Sequence, residues 1–120
     1  MVLYINVSEF IVTTTPSVPG YRVVKVLGVV SGMTARTRGV LGRFIASFET
    51  LVGGEVASFT EEMLKAKDEA LKRAVEQAKA LGANAIIGLD FETSEVFASV
   101  VLVSATGTAV VVVPESGSGR

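Results

Sequence analysis

Residues 96–114, VFASVVLVSATGTAVVVVP, run for 19 positions without a charge. Such a stretch has to be taken out of water, as a membrane helix of about 20 apolar residues or as a buried strand. Its composition argues for the strand. Valine dominates, Ser99, Ser104, Thr106, Gly107 and Thr108 interrupt it, and no Lys or Arg lies close on either side. β-Branched residues suit a pleated, packed surface. A long strand is therefore expected over residues 99–113, buried on both faces near residues 110–113.

The preceding segment supplies a partner. Ala85, Ile87, Leu89 and Phe91 alternate with Ile86, Gly88, Asp90 and Glu92, the pattern of a half-buried strand. A turn over residues 93–98 would join the two as a hairpin. At the other end, residues 2–15 read as one or two short strands closed by Pro16, and Pro16, Pro19 and Gly20 mark a loop. Residues 21–30 form the next strand, with Tyr21, Val23, Lys25 and Leu27 on one face and Arg22, Val24 and Val26 on the other. Gly28 suggests a bulge, and Ser31-Gly32 ends the pattern.

Two helices are expected. Ser58-Phe59-Thr60-Glu61 has the form of a capping box. Leu64, Ala70, Leu71, Ala74, Val75, Ala78 and Leu81 then make an apolar stripe, and Gly82 suits the residue after the helix. The spacing predicts a helix over 59–81. A shorter one over 39–52 follows from Val40, Leu41, Phe44, Ile45, Phe48, Leu51 and Val52, with Gly53-Gly54 as its stop. The order is β-β-α-α-β-β. This is a single α+β domain over 1–113 with a mostly antiparallel sheet and a frayed tail over 114–120. One long helix covers one face of one sheet. The remaining apolar strand surface needs another cover, and a second copy of the chain is the simplest.

The chain has no Cys and no His. That excludes disulfides, thiolate nucleophiles, Ser-His-Asp and Cys-His catalysis, and zinc-finger chemistry. Net charge is −1, but residues 1–54 hold five cations against two acids and residues 55–120 six against ten. The balance argues against a nucleic-acid surface and leaves room for a local basic patch. The first ten residues lack the basic and apolar regions of a signal peptide.

Three constellations could carry chemistry. Asp90 and Glu92 share a strand face, with Glu95 nearby, and could offer oxygen ligands to a hard ion; an exposed acidic strand is the plainer reading. SGMTARTRGVLGR, residues 31–43, places Arg36, Arg38 and Arg43 among glycines and hydroxyls, a composition that can wrap a small anion. A surface loop or subunit contact has the same composition. Ser104, Thr106 and Thr108 share one face of the long strand, where they could line a pocket or pair across the sheet. No nucleophile–base pair is identified by spacing, and Lys65, Lys67, Lys72 and Lys79 read as solubilising charges on the long helix.

Several segments carry a resemblance. They are Thr13-Thr14-Thr15-Pro16, Gly28-Val29-Val30-Ser31-Gly32, Leu51-Val52-Gly53-Gly54, the run from Ala80-Leu81-Gly82-Ala83-Asn84 to Leu89-Asp90, and Ala105-Thr106-Gly107-Thr108-Ala109-Val110. In this order, over about residues 11–113, they resemble the YbjQ-like family, small uncharacterised proteins labelled putative heavy-metal-binding. The resemblance implies a dodecin-like subunit in a ring, a pentamer, in the cytoplasm and without an established activity. Residues 1–10 extend beyond the usual family start. Glu55 stands where a basic residue is usual, and Phe59 where Tyr is frequent. The expectation is a non-enzymatic ring-forming binding or scaffold protein of unknown cofactor, whose partner is itself and whose ligand is a small anion or ion. The alternatives are carboxylate or lysine catalysis in an inter-subunit cleft, or weak anion or nucleic-acid binding through the three arginines.

Overall fold

The uncharged run is a strand. In the computed structural model, which describes residues 10–37, 57–97 and 100–115, it forms β4 (Val100–Pro114) at the middle of a four-stranded sheet. The others are β1 (Ile11–Val12), β2 (Tyr21–Thr37) and β3 (Ala85–Phe97), in the order β1-β3-β4-β2. β4 pairs antiparallel with both β2 and β3, and β1 pairs parallel with β3. The sheet is therefore mixed. Among the described residues no helix is long and apolar enough to cross a membrane.

One helix, α1 (Ala57–Ala80), packs on this sheet. Ser58 is already the second residue of the helix, two positions further in than an N-cap at Ser58 requires. Its C-terminus is closed by a Schellman arrangement: the Gly82 N–H donates to Lys79 O and the Ala83 N–H to Ala78 O. The buried stripe is Ala66, Ala70, Leu71, Ala74 and Ala78, whereas Leu64 and Leu81 are about half exposed. The helix thus meets the sheet through alanines at every fourth position, and the larger leucines flank the contact. The helix expected over 39–52, and the strand residues before 10, lie outside the described residues.

The alanine stripe works because of Gly32. A Cβ at this position would fall 2.0 Å from the Ala70 carbonyl oxygen and 2.4 Å from the Ala74 nitrogen. Helix backbone rests directly on strand backbone there. This corrects the expected strand end at Ser31-Gly32: β2 continues to Thr37, paired residue by residue with β4 as far as Val100. Residues 31–37 are strand, not loop, and their glycine is a contact point.

A second correction concerns β3. Ile86, Leu89 and Phe91 join the core under α1, while Ala85 and Ile87 belong to a second cluster with Val110 and Val112. The expected alternation fails because an extra residue enters the strand between Ile87 and Asp90, where the register shifts. Gly88 takes φ +63° there, a value glycine adopts without steric cost. A bulge of one residue moves every later side chain to the opposite face. The turn expected over residues 93–98 is corrected as well, because β3 runs to Phe97, in register with Val100. In β2 the bulge expected at Gly28 is present, with shifts between Val23 and Lys25 and between Val26 and Gly28.

Gly32→Ala is expected to destabilise the fold by about 3 kcal/mol or more, because backbone atoms rather than a mobile side chain block the new methyl group. Chemical denaturation monitored by circular dichroism measures the loss.

Candidate functional site

The two faces of the sheet differ in chemistry. Under α1 lie Val30, Gly32, Thr34 and Arg36 of β2 and Val103, Ala105, Gly107 and Ala109 of β4. The Thr34 hydroxyl donates to the Ala66 carbonyl at 3.3 Å, which satisfies a polar group only 3% exposed. The other face carries Ser104, Thr106 and Thr108 of β4, all half-buried. They do share one face, as expected. Asp90 stands opposite Thr106 and Glu92 opposite Ser104 on β3. On the β2 side, Ser31 stands opposite Thr106, and their hydroxyl oxygens are 2.8 Å apart. A polar row Asp90–Thr106–Ser31 therefore crosses three strands.

Asp90 and Glu92 are exposed on that face. Glu95 pairs in register with Val101, five positions from the Asp90–Thr106 pair. By strand alternation it stands on the opposite face from both carboxylates. Among the described residues no group of three or more His, Cys, Asp or Glu side chains is placed to hold a metal ion.

Arg36 is the one arginine of its trio within the described residues; Arg38 and Arg43 lie outside them. Its guanidinium reaches across to the helix, where Nε donates to Glu62 Oε2 and Nη2 to Glu69 Oε1, both at 3.1 Å. Glu69 also accepts from Arg73 Nη2 at 2.8 Å. The Arg36 side chain is 20% exposed. It ties the end of β2 to Glu62 and Glu69 of α1, and an incoming anion would compete with two carboxylates. The lysines of α1 also make contacts: Lys67 Nζ lies 5.4 Å from the Phe91 ring centroid and Lys79 Nζ 5.7 Å from that of Phe10.

Sequence reasoning missed two residues with clear roles. Asn84 faces Val112 with its side-chain amide: Nδ2 donates to Val112 O at 2.9 Å and Oδ1 accepts from Val112 N–H at 2.8 Å. Its own backbone N–H donates to Val110 O, and its carbonyl accepts from Ile11 N–H. Asn84 thus completes the ladder of β4 where β3 has not yet begun. Gln77 does the same for β2, accepting from Ser31 N–H at 2.9 Å and donating to Ser31 O at 2.8 Å. An amide at a strand edge is the only signal either leaves in a sequence, and it is shared by many surface residues.

The segment after β1 is also structural. Leu89 N–H donates to Thr13 O and Gly88 N–H to Thr15 O, while the Thr15 hydroxyl donates to Ser17 O at 2.6 Å. These bonds hold the Thr-Thr-Thr-Pro segment against the β3 bulge.

A family model described as "Putative heavy-metal-binding" matches residues 10–113. The chain belongs to this YbjQ-like family. It is similar to a UPF0145 protein of Sulfurisphaera tokodaii, 46% identical over 105 residues, which cover 88% of this chain and 92% of the relative. A UPF0145 protein of Pyrococcus horikoshii is 45% identical over 107 residues, covering 89% and 92%. Among solved structures, a protein of unknown function in the DUF74 family from Pediococcus pentosaceus superposes with a TM-score of 0.55 at 20% identity, covering 87% of this chain and 98% of that one. That likeness is one of fold.

The donor set does not fit the family's heavy-metal description. Soft and borderline metals select thiolate and imidazole, and this chain has neither. Isothermal titration with zinc, copper or cadmium is expected to show no stoichiometric sub-micromolar binding. Asn84→Ala, which leaves two backbone groups of Val112 without their partners, should cost about 1–3 kcal/mol, read from a urea denaturation midpoint.

Proposed function

We propose that this member of the YbjQ-like family is a non-enzymatic binding or scaffold protein that works as a closed ring of dodecin-like subunits, five in the simplest case. Its ligand would be a small anion, cofactor or ion held where subunits meet. The observation that carries the reading is the β2 side of the sheet face away from α1, where the described residues leave large apolar side chains exposed. Val26, Val29 and Met33 of β2 are 65%, 73% and 47% exposed. Their register partners Val110, Thr108 and Ser104 lie on the face away from α1, so the three share that face, with Ser31 between Val29 and Met33.

α1 cannot serve this surface. A helix of 24 residues is about 36 Å long, while 17 strand residues extend for about 56 Å. The helix also occupies the opposite face. Exposed Val and Met beside a row of hydroxyls give the composition of a contact surface with a polar rim. A neighbouring subunit laid over it would bury the valines and enclose the Asp90–Thr106–Ser31 row, which would then be the polar lining of the boundary. The cytoplasm is the compartment this reading implies, in keeping with a chain that lacks Cys.

Native mass spectrometry of freshly purified protein tests both halves, since it reports copy number and any retained small molecule together. A single closed oligomer is expected for the wild type and smaller species for Val29→Glu, which puts a charge on that face. A wild-type monomer would sink the ring.

A further inference from the structure

β2 ends the sheet, and among the described residues it pairs only with β4. Its other edge carries backbone N–H and C=O groups at every second residue. An edge of this length is a template for strand addition from another chain. From Ser31 to Ala35, however, side chains engage the Ser31 N–H and the carbonyls of Ser31, Met33 and Ala35. Gln77 exchanges two hydrogen bonds with Ser31, at 2.9 and 2.8 Å. Arg73 Nη1 donates to Met33 O at 2.6 Å, and Arg36 Nη1 to Ala35 O at 3.4 Å.

The Gln77 amide presents one acceptor and one donor side by side, as a peptide group of a neighbouring strand does. It occupies the place where an added strand would bond. Arg73 is held in position by Glu69, which also binds Arg36, so the covering side chains are linked to one another. Gln77 and Arg73 lie on α1, whose position is set by the contact at Gly32, between the two covered residues. The other half of the edge is interrupted differently, by the two register shifts and by Lys25.

We propose that Gln77 and Arg73 form a side-chain lid on the edge of β2 at Ser31 and Met33, which prevents the strand of a second copy from extending the sheet there. This goes beyond the ring reading and does not depend on it: the ring uses the face away from α1, whereas the lid closes the edge.

Site-resolved amide hydrogen exchange by NMR tests the lid in the wild-type chain. The Ser31 amide should be protected like the β2 amides that face β4, and independently of protein concentration. A Ser31 amide exchanging like an exposed one, or protected only at high concentration, overturns the proposal. In Gln77→Ala its exchange should rise by about tenfold, with the amides facing β4 unchanged. Gln77→Glu keeps the acceptor for Ser31 N–H and should retain most of the protection. The variant Gln77→Ala with Arg73→Ala, shown folded by circular dichroism, should form larger, concentration-dependent species in light scattering. A folded double variant with the wild-type size distribution also overturns the proposal.

Discussion

The backbone contact between α1 and β2 at Gly32 sets the geometry of the whole chain. No side chain other than hydrogen fits between the strand and the Ala70 carbonyl. Ala66, Ala70, Ala74 and Ala78 keep the rest of the helix equally low, each with no exposed surface. This closeness lets short reaches succeed. Thr34 touches the Ala66 carbonyl, Arg36 spans to two glutamates, and Gln77 and Arg73 reach around to the strand edge. A helix raised by one methyl layer would lose most of these bonds together.

The segments that mark the family are occupied chiefly with backbone bookkeeping. Asn84 finishes the β4 ladder, the threonines after β1 hold the β3 bulge, and Gly107 lets the Ile86 side chain lean across β4. Among the described residues, Asp90, Glu92 and Arg36 do not meet in one place. Asp90 and Glu92 stand on the face away from α1, and Arg36 is clamped beneath the helix. What the described residues offer instead is a sheet surface that they leave exposed at Val26, Val29 and Met33.

That surface follows from one-sided cover, since α1 packs on the opposite face of the sheet. Strands β2 and β4 outreach the single described helix and expose a second face. The face away from α1 is apolar at Val26, Val29 and Met33, while the edge beside it is closed by polar side chains and bulges. A contact through the face would bury apolar area. Pairing through the edge could repeat without limit, so side chains and bulges along it work against fibre growth.

Much of the fold was legible in the residues. The charge-free Val-rich run demanded a buried strand, the periodic apolar stripe and Gly82 demanded a helix, and Gly28 announced its bulge. These signals are local: each depends on a period or on a residue whose backbone preference acts alone. The family was legible as well, from an ordered set of short segments. What only the tertiary structure decided were matters of approach and register. Gly32 reads as a strand end until a helix is seen lying on it. The faces of β3 read correctly only up to Gly88, because a single inserted residue reverses all that follow. Gln77 and Asn84 look like ordinary surface amides until the strands they complete are in place. The physical reason is common to all of these. A side chain's role here depends on which backbone groups remain unpaired nearby, and that is known only after strands and helix have met.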